Sequence, residues 1–490
     1  MPITFLNKPA DLLKYEIVVV GSGPGGATAA SILAEGGREV LLLEEGPLLD
    51  REKCKPFSLD EMIQGYRNRG MTFAFGNPKV QYAEGRCVGG GSEINSGLYH
   101  RLPPEVAELW RKKFGVEGLS ESELIPHFEV CEKDLSVSLL PDSPPVASAK
   151  LDIGAKKLGW KVVEVPRWYD YGKGTSGQQG FQKIRQTMSR TYIPRACDAG
   201  ADLLSSTRVE RLRRDGNKWV LNTKYANGEA NQKDIKIIAE NVFLACGAIQ
   251  TAHLLRKSGI KNNIGNSLRF HPTIKLTAQF DEKVNSGEIT IPMHQVKEFS
   301  PKLSFGGSIS SPPHLALNLM DQSGNRKKIE NIWENMAVFY AMIETPSYGK
   351  IRHIPGYRDP LVQYRLSRQD MRALKDGLEN LGLLLFESGA KTIFPSVANW
   401  MIFNKREELK KLPDCLPRNI ANLMTVHLFS SCPMGENKKI CATDSFGKVH
   451  GFENLYIADA SLLCTAPGVN PQGTIMGIVR RNTLKFLNKL

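Results

Sequence analysis

Four apolar residues, Ile17-Val18-Val19-Val20, run directly into Gly21-Ser22-Gly23-Pro24-Gly25-Gly26. That junction limits the fold more than any other stretch of the chain. A wholly apolar, β-branched run belongs in a strand covered on both faces, as in a parallel sheet between helices. The small residues Ala27 to Ala34 predict a helix, Gly36-Gly37 ends it, and Val40-Leu41-Leu42-Leu43 reads as the next strand. Each glycine of the G-x-G-x-x-G has a physical reason. Gly21 permits the tight turn, Gly23 lets a pyrophosphate approach the backbone, and Gly26 lets helix and strand pack closely. The helix start then offers unpaired N–H groups and partial positive charge to phosphates. Glu44 closes the second strand, where a carboxylate can bind adenosine ribose hydroxyls. The unit predicts dinucleotide binding and leaves NAD and FAD as alternatives.

The bulk properties exclude several other readings. With 490 residues the chain can build two or three domains' worth of core. Its net charge of +13 comes from dispersed lysines with no interleaved aromatic platform, so no nucleic-acid partner is expected. Nine cysteines include no C-x-x-C pair and no zinc-ligand spacing, so no metal is expected. The N-terminal residues lack the apolar core of a leader, and no apolar run could span a bilayer. These features predict a cytoplasmic protein with free thiols. The basic surface leaves weak peripheral contact with an anionic membrane open. There is no G-x-S-x-G for a serine hydrolase and no H-E-x-x-H for a metalloprotease.

Further glycine-rich segments decide between the dinucleotides. Gly85-Arg86-Cys87-Val88-Gly89-Gly90-Gly91-Ser92-Glu93-Ile94-Asn95 resembles the first signature of the glucose–methanol–choline oxidoreductase family. Val242-Phe243-Leu244-Ala245-Cys246-Gly247-Ala248 resembles the second, with Thr251-Ala252 where the family commonly has Ser-Pro. His427-Leu428-Phe429-Ser430-Ser431-Cys432-Pro433-Met434-Gly435 resembles the family's H-x-x-G-T-C-x-M-G, with Ser430-Ser431 in place of Gly-Thr. The similarity extends from Val18 to Asn482 and is looser in the middle.

The resemblance implies FAD as cofactor and a flavin-dependent oxidation of a CH–OH group. It places Arg86, Gly89, Gly90, Ser92 and Asn95 around the flavin or its diphosphate, and Val209 beside the adenine. Asp459 and Ala460, after the strand Leu455 to Ala458, fall at the ribityl chain. Asn470 suits a helix N-cap and Pro471 the first helical position. The N–H groups of Gln472, Gly473 and Thr474 would then face the negative charge of a reduced flavin. Some members tether FAD through a histidine just before the conserved Asn; Ile94 stands there, so noncovalent FAD is expected. His427 is the implied base, since a neutral imidazole with a pKa of ~6.5 can take the hydroxyl proton as hydride leaves. Asn470 is its partner at the substrate oxygen. His271 and His450 are the alternative bases, with His271 read as structural and near the mouth of the site.

The expected fold is α/β, a Rossmann-like FAD-binding domain discontinuous in sequence, with a substrate domain of antiparallel sheet and helices. Residues 1–135, 191–270 and 417–490 are assigned to the first and 136–190 and 271–416 to the second. In the second, Ile274 to Phe280, Gly306 to Ser311, Leu315 to Met320 and Met336 to Glu344 read as strands. Lys350 to Leu366 adds more strand, and Asp370 to Ser388 reads as a helix. These blocks are nearer the sterol and long-chain-alcohol members, which implies a lipophilic alcohol substrate. A sugar or amino-sugar dehydrogenase, or a flavin-dependent lyase or photoenzyme, are the alternatives. The electron acceptor is O2 or another carrier.

Overall fold

The computed structural model describes residues 3–6, 9–173, 184–226, 232–286, 293–320 and 331–489. Two sheets organise them. The first has seven strands and runs Asp202–Leu204, Val40–Leu43, Leu12–Val20, Gln232–Leu244, Lys218–Ala226, Thr207–Asp215, with Leu455–Ile457 also joined to Gln232–Leu244. Its centre is parallel, as the unbroken apolar runs require: Ile17 to Val20 and Val40 to Leu43 are buried on both faces. The helix Pro24–Glu35 covers one face through its small residues. A Cβ on Gly26 would lie 1.8 Å from the carbonyl oxygen of Gly21, so helix and strand meet at a distance only glycine allows.

The second sheet has nine strands and forms a roof over the carboxyl ends of the first sheet's central strands. Thr273–Gln279 pairs antiparallel with Met336–Ile343, which pairs with Leu303–Gly307; His294–Val296 and Val162–Glu164 continue that side. Thr72–Ala74 and Val80–Tyr82 extend the other side through Leu423–Thr425. These two strands fall within 1–135, and Leu423–Thr425 within 417–490, so two of the three segments assigned to the nucleotide domain also contribute to the roof. The helix Arg368–Glu387 lies on this sheet, its Leu374, Leu378, Leu381 and Leu385 buried at helical spacing. Ser367 and Asp370 close its start as a reciprocal capping box.

Three local expectations need correction. Leu315 to Met320 is not a strand; Pro312–Asn318 is a helix, because Pro312 and Pro313 occupy a first turn where their missing N–H groups cost nothing. The strand expected over Gly306 to Ser311 lies earlier, at Leu303–Gly307. Lys350 to Leu366 contributes only a separate two-stranded pairing, Gly349–Arg352 with Leu361–Tyr364. Among the described residues no helix is long and apolar enough to cross a membrane.

Candidate active site

Between the two sheets lies a cavity of about 630 Å³, within the usual range for ligand sites. One end is built from glycine backbone. Gly21 has φ of +105°, and a Cβ there would meet the Ala245 carbonyl oxygen at 2.3 Å. Gly90, at φ of +54°, would place a Cβ 2.7 Å from the Gly23 Cα. Two glycine chains thus touch where both line the cavity, beside the start of Pro24–Glu35, which no side chain caps. This is a cradle for a diphosphate. Glu44 is buried and accepts from the backbone N–H and hydroxyl of Ser22 and from Gly46 N–H, while Ser22 Oγ also accepts from Gly89 N–H. Burial pushes the Glu44 carboxyl up despite those bonds. Its neighbour Glu45 behaves oppositely. Burial would raise it, but Arg67 at 2.6 Å and Arg208 overcome that and hold it at about 2.

Of the residues expected here, Gly21, Gly23, Glu44, Gly90, Asn95, Val209, Asp459, Ala460, Gln472, His427 and Asn470 line the cavity. Gly26, Arg86, Gly89, Ser92, Gly473 and Thr474 are not among its lining. Gly26 sets the helix–strand approach. Ser92 Oγ donates to Gly89 O and accepts from Met188 N–H, which shapes the glycine loop from behind. Arg86 lies near enough to Glu45 to depress its carboxyl further. Gly473 packs against the His100 carbonyl, and Thr474 Oγ1 is buried without a partner among the described residues. Ile94 lines the cavity.

Asp459 is held by four donors, Gly247 N–H and Thr251 Oγ1 on one oxygen and Ser461 N–H and Oγ on the other. Thr251, one of the departures from the family pattern, therefore orients this carboxylate. The other departure carries strain: Ser430 sits at φ of +65°, in the left-handed region that suits the usual glycine.

The helix that follows begins at Gln472, not Pro471, and Asn470 does not cap it. The physical reason is competition: the Asn470 amide is drawn instead to two side chains. Its Nδ2 lies 3.2 Å from His427 Nε2, and its Oδ1 accepts from Gln295 Nε2 at 3.0 Å. Gln295 Nε2 is also 3.1 Å from the Tyr340 hydroxyl. Asn95 Nδ2 donates to Gln472 Oε1 at 2.8 Å, tying the first glycine loop to the helix start.

His427 follows the roof strand Leu423–Thr425, fixed by reciprocal bonds between its backbone and the Thr425 hydroxyl. Its Nδ1 lies 3.1 Å from Nδ1 of His271, the two rings edge to face at 84°. His271 is fully buried and not at the mouth of the site, which corrects the sequence expectation: Pro272 and the strand Thr273–Gln279 set it directly behind His427. Its Nε2 accepts from Gly468 N–H at 3.1 Å. Burial, with the Lys297 ammonium as a second cause, pulls His427 down to about 4, so the ring is neutral at ordinary pH. The same causes, joined by His427, hold His271 well below its usual value. Lys297 Nζ is buried and has no hydrogen-bond partner among the described residues, and burial brings it down to about 8. His450, the other alternative base, donates from Nε2 to Gly435 O and does not line the cavity.

Sequence reasoning missed Gln295, Tyr340 and Lys275, which lie on roof strands outside the glycine-rich segments, and Lys297, which directly follows one of those strands. Only the alternation of Thr273 and Lys275 with buried Ile274 and Leu276 could have indicated a cavity-facing strand. Among the described residues no cluster of His, Cys, Asp or Glu could hold a metal ion.

Two family models, both described as GMC oxidoreductase, match residues 18–273 and 350–478. An uncharacterized GMC-type oxidoreductase of Sinorhizobium fredii is 37% identical over 475 residues, covering 96% of this chain and 94% of that one. A long-chain-alcohol oxidase of Arabidopsis thaliana is 26% identical over 501 residues, covering 94% and 65%. Among solved structures, pyridoxine 4-oxidase from Mesorbium loti superimposes with a TM-score of 0.72 at 17% identity, covering 96% and 99%. Formate oxidase from Aspergillus oryzae does so at 0.71 and 14%, covering 97% and 98%. The glycine cradle, the Glu44 carboxylate and the long cavity fit the dinucleotide that such a fold holds. This chain therefore belongs to the glucose–methanol–choline oxidoreductase family and is an FAD-dependent oxidoreductase.

Proposed function

We propose that this enzyme oxidises the CH–OH group of an aliphatic alcohol, with His427 taking the hydroxyl proton and Asn470 holding the carbinol oxygen. The observation that carries the reading is the neutral His427 ring lining the cavity with its Nε2 beside the Asn470 amide. FAD, when bound, supplies the two-electron acceptor for the carbinol hydride. Gly21, Gly23 and Gly90 would receive its diphosphate, Glu44 its ribose, and Asn95 with the Gln472 helix start its ring system. Attachment is noncovalent on this reading, since Ile94 offers no nucleophile at the histidyl position. The aliphatic preference is supported by Ile309, Leu317, Met342 and Met424 in the lining, and by the long-chain-alcohol oxidases among the relatives.

The proton positions need a choice of tautomer. For His427 to accept at Nε2, its proton must sit on Nδ1 and be donated to His271 Nδ1. Neutral His271 then carries its proton on Nε2, facing Gly468 N–H, and both donors are left without an acceptor. That costs about 1–3 kcal/mol for each. General-base assistance contributes ~10²–10⁴-fold, or roughly 3–5 kcal/mol at the transition state, which is comparable to that cost.

A second reading is favoured by the Gly468 contact. A backbone N–H cannot turn away, whereas an amide can be flipped without moving its neighbours. If Gly468 fixes His271 as the Nδ1–H form, His427 carries its proton on Nε2 and donates to the carbinol oxygen. Asn470 and Gln295 would then both be flipped. That would also give partners to Gln295 Oε1 and His100 Nδ1, which are buried without any among the described residues.

The proposed reaction is tested by an absorption spectrum of the purified protein, then anaerobic mixing with straight-chain alcohols. Loss of the oxidised flavin band supports alcohol oxidation. A flavin that no alcohol bleaches contradicts it. Acid precipitation should release the yellow colour to the supernatant, and a yellow pellet would overturn noncovalent binding.

A further inference from the structure

We infer that the alcohol oxidised at this site also carries a carboxylate, at the end of its chain away from the carbinol, and that Lys275 receives it. The inference rests on the preceding reading of the His427 end. Lys275 lies on the roof strand Thr273–Gln279 and lines the cavity together with Thr273, two residues before it. Its side chain has no ion pair and no hydrogen bond among the described residues. Most other enclosed cations here are matched, as Lys257 is by Glu210, Lys150 by Glu282 and Arg67 by Glu45. Burial alone acts on the Lys275 ammonium, bringing it down to about 8, and no carboxylate counters it. The nearby His314, brought down to about 4 by burial and by Lys275 itself, adds no negative charge.

The acidic residues lining the cavity all lie on the nucleotide side, and each is already engaged. Glu44 and Asp459 accept from the donors described above; Glu45 and Glu84 are paired with Arg67, and Glu210 with Arg208 and Lys257. None of the described roof residues lining the cavity is acidic. A cation enclosed without a counter-ion is costly, and the cost is recovered when a ligand brings the opposite charge. Lys275 stands two strand residues, about 7 Å, beyond Thr273 and four residues beyond His271, which holds His427. An anion at Lys275 and a carbinol at His427 are therefore several carbons apart. Met342 and Met424, partners of Thr273 in the sheet, supply apolar lining at that end. The combination describes an ω-hydroxy carboxylate. The same charge disfavours alcohols that carry an ammonium group.

The test uses the holoenzyme with length-matched pairs, 1-hexanol against 6-hydroxyhexanoate and 1-decanol against 10-hydroxydecanoate. Wild type should prefer a hydroxy acid in kcat/KM by at least about tenfold. In Lys275→Met that ratio should fall to about one, and Lys275→Arg should keep most of it. Hexanoate, which has no carbinol, should raise the Tm of wild type and of Lys275→Arg but not of Lys275→Met. Equal preference in wild type, or a preference that survives Lys275→Met, overturns the inference. So does loss of FAD from Lys275→Met, which would assign the lysine to the cofactor. If no alcohol bleaches the flavin, the His427 reading fails, and hexanoate stabilisation that depends on Lys275 still decides the anion site.

Discussion

At the scale of single residues, the account depends on one proton shared among His271, His427 and Asn470. His427→Gln separates the two roles open to the ring. Glutamine keeps a donor N–H near the Nε2 position but has no basic nitrogen. We expect His427→Gln to reduce flavin as slowly as His427→Ala, a loss of ~10²–10⁴-fold. A Gln variant near wild type would instead establish the donor role favoured by Gly468. The pH dependence follows from the burial of the ring. Its charge change lies at about 4, so flavin reduction should stay level from neutral pH down to about 5 and fall only as pH nears 4. A fall centred near the free-histidine value of ~6.5 would mean that water reaches the ring. The sequence named His427 and Asn470 by motif. It could not reveal that His271 touches His427, since 156 residues separate them and the pairings of Arg269–Phe270 with Leu428–Phe429 and of Thr273 with Met424 bring them together.

At the scale of elements, the glycine-rich turn was legible because its chemistry is local. Strand, turn, helix and acid lie within Ile17 to Glu44, and Gly21 and Gly26 meet the constraints the sequence suggested for the turn and the helix–strand approach. The helix start after Asn470 was misread for the opposite reason. Asn, Pro and a helical run satisfy the capping rule, yet Gln295 and His427 compete for the amide from distant segments. Pro312–Asn318 was misread because a six-residue apolar alternation does not distinguish strand from helix. Two substitutions test the element-level energetics. Ser367→Ala should remove the capping box of Arg368–Glu387 and lower stability by about 1 kcal/mol in denaturant unfolding, with flavin reduction unchanged. Ser430→Gly should relieve the left-handed backbone and raise stability by up to about 1 kcal/mol. A destabilised Gly variant would show that the buried serine side chain matters more than its φ.

For the whole molecule, a parallel sheet holds the dinucleotide cradle and an antiparallel roof closes over it, so the cavity takes chemistry from both. The nucleotide half could be read from the chain because its function lies in backbone geometry that glycines announce. The roof could not, because Lys275, Gln295 and Tyr340 acquire meaning only when the strands Thr273–Gln279, His294–Val296 and Met336–Ile343 come together. The central claim is that His427, among the nine histidines, handles the proton of the alcohol. The most direct measurement is anaerobic stopped-flow reduction of the bound flavin by the best alcohol in wild type, His427→Ala and His450→Ala. His450, off the cavity, is the proper control now that His271 is seen to touch His427. The account predicts full FAD content in all three, wild-type reduction in His450→Ala, and a ~10²–10⁴-fold slower reduction in His427→Ala. A His427→Ala enzyme that reduces its flavin within a few-fold of wild type would contradict it.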